Sequence, residues 1–260
     1  MNILLATFRL SLSVLLKSRR TLVMGMLCCF PILGAALGAA MIASGIAEHD
    51  LSAYGLITFL MSRGYVHFFL VVVTLFYGTA LVADEIDDKT ITYLFMRPVP
   101  KTSLYLGKYL AYLAAAGLML LPTATASFLV AILADPPGEA IRHFPTLFQD
   151  LAVLALGILA YGALYALIGA ISRRPVFVGL GFAVIWETAV TFIPGYLSKL
   201  TIKHYLLALL PHPAGQRGVL ALLEAPTSKP LAVFVLLAVT AALLALGTYV
   251  FKHKEYVLEQ

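Results

Sequence analysis

The sequence predicts an all-α membrane protein with six transmembrane helices, and three observations carry this prediction. Hydrophobic residues make up 61% of the 260 residues, against about 45–50% apolar residues in ordinary soluble domains. Charged residues reach only 12%, about half the usual share, and the mean hydropathy is +0.94. Six apolar stretches approach the roughly 20 residues that a membrane span needs. This composition excludes an ordinary soluble domain, a disordered chain and a collagen-like chain.

The predicted spans follow one another through short connections. Only residues 172–175 separate the fourth span from the fifth, so these two spans form a tight helical hairpin. The third span is long enough to tilt in the bilayer. The predicted spans are Leu22–Ile46, His67–Ala83, Tyr109–Ala134, Leu151–Ile171, Val176–Ile193 and Leu231–Phe251.

Residues 1–20 form a different kind of segment. Apolar residues recur at helical spacing, and Arg9 and Lys17 fall on another face. This pattern predicts an amphipathic helix that lies in the membrane interface. It does not fit a cleavable signal peptide, because polar residues interrupt it and no small-residue cleavage site follows. A plain cytosolic lead-in is the alternative. The apolar positions are Leu4, Leu5, Phe8, Leu12, Leu15 and Leu16.

The distribution of Lys and Arg predicts the orientation of the chain. With the N-terminus placed in the cytoplasm, the cytoplasmic side holds 12 of the 18 basic residues and the other side holds six. This asymmetry follows the positive-inside rule and places both termini in the cytoplasm. It also explains the net charge of +5 without a nucleic-acid partner. Cys28 and Cys29 are adjacent in an apolar run and predict neither a disulfide framework nor a zinc site.

Residues 84–103 connect the second and third spans on the predicted cytoplasmic side. Four acids open this segment, which suits the N-terminus of a helix, and Pro98 and Pro100 end the helix. Between them an apolar stripe recurs at helical spacing, and Arg97 and Lys101 are basic. We expect a short amphipathic helix that acts as a docking surface; a divalent-cation site or a solvated loop are the alternatives. The acids are Asp84, Glu85, Asp87 and Asp88, and the stripe is Ile86, Ile91, Leu94 and Phe95.

Glu187 lies near the middle of the predicted fifth span, between Trp186 and Thr188. A carboxylate there costs roughly 2.5–3.5 kcal/mol on insertion scales, so it must face protein or water. It could be a polar point of a translocation pathway, a substrate or proton contact, a buried group hydrogen-bonded to another helix, or a carboxyl group held neutral. Residues 195–229 hold two short apolar runs, Tyr205–Leu210 and Val219–Leu223, which predict a structure at the outer headgroups or a surface loop.

The cytoplasmic segment resembles the signature of type-2 ABC transporter permeases. In that family an acidic residue, Gly-Thr, a Leu, Pro-Val-Ser-Arg and Gly-Lys follow in this order between spans two and three. Lys89 replaces the usual Gly, and Lys101 replaces the usual Arg. The six-span layout agrees as well, so the resemblance covers residues 1–260 as one permease domain. The matching positions are Glu85, Lys89-Thr90-Ile91, Leu94, Pro98-Val99-Pro100-Lys101 and Gly107-Lys108.

The resemblance implies a role for each of these segments. Residues 84–103 would form a coupling helix that docks on a separate ATPase, and residues 195–229 would form outer re-entrant helices. Spans two and five would line the translocation path at a dimer interface. The implied coupling residues are Asp84, Glu85, Asp87, Lys89, Thr90, Arg97, Pro98 and Lys101. The candidate path residues are Glu187, Thr74, Tyr77, Thr79 and Thr191.

The function implied is that of the membrane subunit of an ATP-driven exporter in the plasma membrane, as in the bacterial inner membrane, with a lipophilic or amphipathic substrate. The chain has no nucleotide site of its own, because Thr102 replaces the first Gly of a phosphate-binding loop and Tyr109 follows Lys108. It would therefore not be an enzyme, and ATP and Mg²⁺ would bind the partner ATPase. A second permease chain, identical or related, and accessory proteins would complete the complex. The alternatives are an intramembrane enzyme and a non-transporting membrane anchor that recruits an ATPase.

Overall fold

A computed structural model describes residues 3–45, 52–87, 100–134, 141–190, 199–211 and 227–254. All the regular structure in these ranges is helical, which confirms the all-α fold class for this part of the chain. Two helices continue into π-helical segments, Leu60–Phe69 after α3 and Phe182–Ala189 after α7. The α-helices are α1 (Ile3–Lys17), α2 (Arg19–Ala43), α3 (Ala53–Phe59), α4 (Leu70–Asp87), α5 (Lys101–Ile132), α6 (Phe144–Ile171), α7 (Pro175–Gly181), α8 (Ile202–Leu209) and α9 (Lys229–His253).

Five helical segments are long and apolar enough to cross a membrane. They correspond to five of the six predicted spans, but the second, third and fourth begin well before the predicted positions. The fourth begins at Phe144 rather than Leu151, and the third begins at Lys101 rather than Tyr109. In both cases a polar residue inside the helix, Asp150 or Lys108, is buried against other helices instead of marking the helix end. The segments are Arg19–Ala43, Ala53–Val82, Lys101–Ile132, Phe144–Ile171 and Lys229–His253.

The second span begins at Ala53, whereas the sequence predicted a start at His67. Ser52 caps the helix through its side chain, which accepts a hydrogen bond from the Gly55 amide at 3.1 Å. The polar residues that suggested a later start lie in the π-helical segment. There the Nδ1–H of His67 donates to the Ser62 carbonyl, five residues earlier, at 2.6 Å. The helix therefore continues through His67 without a break.

The predicted fifth span is shorter than the others in the part that the structure describes. Helix α7 has 7 residues and the π-helical segment after it has 8, which together cover ~22 Å at 1.5 Å per residue. The hydrocarbon core of a bilayer is about 30 Å thick. Residues 191–198, in which the predicted span would end, lie outside the described residues.

Helix α6 packs against α4, α5 and α9, and glycines allow the close approach. A Cβ atom at Gly78 of α4 would lie 2.8 Å from the Cβ of Tyr165, and one at Gly169 would lie 2.8 Å from the Thr79 carbonyl oxygen. Small residues at helix interfaces are the usual device for close packing in membranes. Helix α1 packs on the first turns of α5, where Thr7 and Leu4 surround Gly107. No side chain of α1 is buried, as expected of a peripheral helix.

Three lysines at one end of the bundle donate hydrogen bonds to backbone carbonyl groups, and the groups that Lys101 and Lys254 contact lie at helix C-termini. Cations are favourable there because the helix dipole is negative. Burial and the charge of Arg173 lower the pKa of Lys254. We call this end the lysine end, defined by Lys101, Lys108 and Lys254. The contacts are Lys101 Nζ to Lys252 O at 3.3 Å, Lys108 Nζ to Leu81 O at 3.0 Å, and Lys254 Nζ to Ala170 O at 3.0 Å and Ile171 O at 2.6 Å.

Candidate functional site

Glu187 is buried among three elements and accepts hydrogen bonds from each side. Only 2% of the residue is exposed. The hydroxyl of Tyr161 on α6 donates to Oε2 at 3.0 Å. The backbone amide of Ile202 donates to Oε1 at 3.2 Å, and that of Lys203 donates to Oε2 at 3.3 Å. The carboxylate thus joins the π-helical segment after α7 to α6 and to the first turn of α8.

The first turn of α8 offers backbone amides that can bind a carboxylate. Thr201 precedes the helix and its hydroxyl accepts a hydrogen bond from the His204 amide at 3.2 Å, which is the usual contact of a threonine N-cap. That contact leaves the amides of Ile202 and Lys203, two of the unpaired donors that open every α-helix. The Glu187 carboxylate takes both amides and also complements the positive end of the helix dipole.

Contacts with three other elements hold α8 in place. His204 Nε2 lies 3.0 Å from the hydroxyl of Thr227, just before α9. Helix α8 also packs against α6 and against the π-helical segment Leu60–Phe69. A Cβ atom at Gly157 of α6 would meet Leu70 and Leu206 together, so α8 lies beside both α6 and the second span.

The N-terminus of α8 lies deep in the apolar part of the molecule. Tyr161 stands about ten residues from the end of α6 at Ile171, which is ~15 Å along the helix axis. Glu187 follows Pro175, the first residue of α7, by about twelve residues or ~18 Å. If the apolar layer begins at Ile171 and Pro175, both distances correspond to about half of a bilayer core that is about 30 Å thick. Short helices that point an N-terminus at this depth are typical of ion and substrate sites in membrane transporters.

The candidate path residues of the second span have their hydroxyl groups engaged elsewhere. Thr74 and Thr79 donate to carbonyl groups four residues earlier in α4, each at 2.6 Å. The hydroxyl of Tyr77 donates to Thr21 of α2 at 2.8 Å. Thr191 lies outside the described residues. The second span and α7 are nevertheless neighbours, because a Cβ atom at Gly179 would meet the side chain of Leu75.

The coupling candidates flank the segment that the structure does not describe. Asp84, Glu85 and Asp87 belong to the last turn of α4, and Lys101 opens α5. Lys101 is the member of this set whose side-chain contact is visible, to the Lys252 carbonyl group at the end of α9. The remaining candidates, Lys89, Thr90, Arg97 and Pro98, lie outside the described residues.

Several residues of the site were missed in the sequence. Tyr161 has no signal of its own in an apolar span. Thr201 is a polar residue before the short apolar run Ile202–Leu209, which is a recognisable helix start. Lys203 lies in the predicted outer connection 195–229, where a charged residue is expected to be exposed, although it is only 7% exposed. Outside this site, Asp150 of α6 is completely buried, and it was missed because it immediately precedes the predicted span.

A comparison with known protein families identifies the family of this chain. The family model described as "ABC-2 family transporter protein" matches residues 15–190. The chain belongs to this family. The match runs from the end of α1 through Glu187 and covers more than half of the chain, so this is a type-2 ABC transporter permease and a multi-pass membrane protein. No curated protein matches this ABC-2 permease significantly.

Proposed function

We propose that this ABC-2 permease is the membrane subunit of an ATP-driven exporter of a lipophilic or amphipathic substrate. A separate ATPase, which binds ATP and Mg²⁺, supplies the energy, and two permease chains, identical or related, form the path. The match of the family over residues 15–190 is the observation that carries this proposal. The proposed function includes no nucleic-acid partner and no enzymatic reaction of the chain itself. Accessory proteins can complete the complex.

The contacts at the lysine end support a sixth crossing. Lys254 follows α9 and contacts the carbonyl groups that end α6, so both helices end at the same side of the bundle. Helix α9 must therefore start at the opposite side. The chain has to cross between Ser172 and Ser228, and α7 with its π-helical extension provides most of that crossing. An even number of spans also puts both termini on one side.

The position of the coupling segment supports docking from the lysine end. Helix α4 ends at Asp87 and α5 begins at Lys101, at the end of the bundle that carries the lysine contacts. The positive-inside rule makes this end cytoplasmic, where an ATPase would bind. The α1 helix, beside the first turns of α5, would lie in the interface of the same leaflet. We retain the coupling role for the segment 84–103.

The contacts of Glu187 favour an anchoring role within the path. The carboxylate fixes the deep end of α8, which we propose forms part of the outer re-entrant structure. A change in the packing of α7 against α6 would release the amides of Ile202 and Lys203. Alternating access by two packings of the helices would then open or close this point. Thr74, Tyr77, Thr79 and Thr191 remain candidates for the lining of the path on either side of it.

The test of the proposal is a mild detergent extraction of the tagged chain from its native membrane. We expect a stoichiometric partner that contains a phosphate-binding loop and hydrolyses ATP. The double variant Asp84→Lys with Glu85→Lys should release this partner or abolish the hydrolysis, because it reverses the charge at the start of the coupling segment. A matched double variant, Glu48→Lys with Asp50→Lys, lies in the connection from α2 to α3 and should retain the partner.

A chain that purifies alone under every mild condition would contradict the proposal. The same holds if the Asp84 and Glu85 variant keeps its partner and its ATPase rate, because the docking segment would then lie elsewhere. Thermal unfolding of the variant in detergent serves as the control for an intact membrane fold.

A further inference from the structure

Lys203 is a buried cation whose charge the described contacts do not neutralise. The residue is 7% exposed, and its backbone amide donates to Glu187. Within the part of the chain that the structure describes, the Nζ group makes no hydrogen bond and no ion pair within 4 Å. Buried lysines are almost always paired, because the removal of an ammonium group from water is costly. A largely buried ammonium group without a close acid among the described residues is a candidate for binding an anion.

Glu187 is the nearest acid in electrostatic terms, but its oxygens are already engaged. It accepts hydrogen bonds from the Tyr161 hydroxyl and from two backbone amides. The carboxylate and the Lys203 ammonium influence each other without forming a close pair. Glu187 thus binds the N-terminus of α8, and it offsets the positive charge of Lys203 only in part.

Two further basic residues lie around Lys203. Arg63, which is exposed, and His67 belong to the π-helical segment that packs against α8. The charge of Arg63 acts on both Lys203 and His67, and the charge of Lys203 acts on His67. Since the Nδ1–H of His67 donates to the Ser62 carbonyl, its Nε2 atom is the nitrogen left for a ligand. The group has an excess of positive charge over the single acid, Glu187.

The two elements that carry this basic group also contain buried apolar residues. On α8 the residues Ile202, Leu206 and Leu209 are buried, and on the π-helical segment Val66 and Phe69 are buried. An inorganic anion would lose its hydration shell there with little return. An acidic group that is attached to an apolar chain gains both the charge contact and the burial of that chain.

We propose that Lys203, together with Arg63 and His67, binds the acidic headgroup, a phosphate or carboxylate, of an anionic amphipathic substrate. That the bound molecule is a substrate rests on the proposed function, whereas the binding site itself does not. The ammonium group of this largely buried side chain would form charge-assisted hydrogen bonds to such a headgroup. The arrangement selects against cationic amphiphiles, which would meet two like charges.

The single tryptophan of the chain, Trp186, makes this site directly measurable. It precedes Glu187, and 37% of it is exposed, so its fluorescence reports on the neighbourhood of α8. The full chain is purified in a neutral maltoside detergent, without an ATPase, and titrated with dodecyl phosphate below its critical micelle concentration. We expect a saturable change in fluorescence. Dodecyltrimethylammonium, which has the same chain and the opposite charge, should give none.

Variants assign the binding to Lys203. Lys203→Gln should weaken the binding of dodecyl phosphate at least tenfold, and Lys203→Arg should stay within about threefold of the wild type. Lys229→Gln removes an exposed lysine from the start of α9 and should leave the affinity unchanged. If Lys203→Gln fails to fold, Arg63→Gln, at an exposed position, replaces it and should weaken binding two- to threefold.

An unchanged affinity in Lys203→Gln, or in Arg63→Gln where that variant replaces it, would overturn the proposal. A response to inorganic phosphate in the same concentration range would also overturn it, because the apolar chain would then contribute nothing. The outcome is independent of the ATPase. Loss of the partner in the extraction experiment would refute the exporter, whereas loss of dodecyl phosphate binding would refute only this site.

Discussion

Glu187 shows how a single carboxylate is accommodated at mid-depth in an apolar bundle. Its insertion costs roughly 2.5–3.5 kcal/mol, and the three hydrogen bonds from Tyr161, Ile202 and Lys203 offset this cost. Two of these donors would themselves be unpaired at a buried helix start. The acid and the helix end therefore stabilise each other, and neither could occupy this depth alone.

Tyr161 and Tyr165 provide a matched pair for testing this account. Their rings stack one turn apart on α6 with centroids 6.0 Å apart, but the Tyr165 hydroxyl is buried without a hydrogen-bond partner among the described residues. Tyr161→Phe should lower the free energy of unfolding by about 1–2 kcal/mol, since it removes a hydrogen bond to a carboxylate. Tyr165→Phe should leave it unchanged or raise it. The measurement is equilibrium unfolding in mixed detergent, and equal losses in both variants would contradict the contact.

The sequence predicted the special position of Glu187 but not its partners. A charged residue in an apolar span can be recognised from the sequence alone. Because lipid offers it no partner, it must face protein or water. The partners Ile202 and Lys203 follow 15 and 16 residues later, and their backbone amides leave no mark in the sequence. Asp150 and Lys203 were missed for a related reason, because hydropathy assigns charges at the ends of apolar runs to loops, while the bundle buries them.

At the scale of the elements, the length of each apolar stretch determines where a spanning helix forms. Glycines determine where two helices pack closely. Five spans could be predicted because about 20 apolar residues have few alternatives to a membrane helix. The start of the second span at Ala53 could not be predicted, since Arg63 and His67 interrupt the apolar run. The π-helical segment accommodates them, and π-helical turns are frequent at functional sites. Both π-helical segments of the described residues contact α8.

Gly162 on α6 should be essential for the contact with α5. A Cβ atom there would overlap the ring of Tyr112, and that ring is fixed because the Tyr112 hydroxyl donates to the Ile158 carbonyl at 2.9 Å. Gly162→Ala should therefore lower the free energy of unfolding by about 1–3 kcal/mol through overpacking. Gly25→Ala on α2, where a Cβ atom meets nothing within 4 Å, should be neutral or slightly stabilising. Thermal unfolding of the two variants in one detergent compares them, and equal stability would refute the packing argument.

For the whole molecule, burial separates the central helices from the peripheral ones. In the span Ala53–Val82, 72% of the most apolar window is buried, against 17% in Arg19–Ala43 and 22% in Lys229–His253. All three are similarly apolar, so hydropathy alone could not have ranked them. Membrane helices do not bury surface to escape water, and their order is set by small residues and hydrogen bonds instead. The exposed faces of α2 and α9 are large apolar surfaces suited to lipid or to a second permease chain.

The lysine contacts make a prediction about the path of the whole chain across the membrane. Since α6 and α9 end together, Ser172 should lie on the cytoplasmic side, and Ser44 and Ser228 should lie on the opposite side. Single cysteines at these three positions, in a background with Cys28→Ala and Cys29→Ala, test this arrangement. In intact cells, a membrane-impermeant maleimide should label Ser44→Cys and Ser228→Cys, whereas Ser172→Cys should react only after permeabilisation. If only five segments crossed, Ser228→Cys would be protected like Ser172→Cys, and the sixth crossing would have to be abandoned.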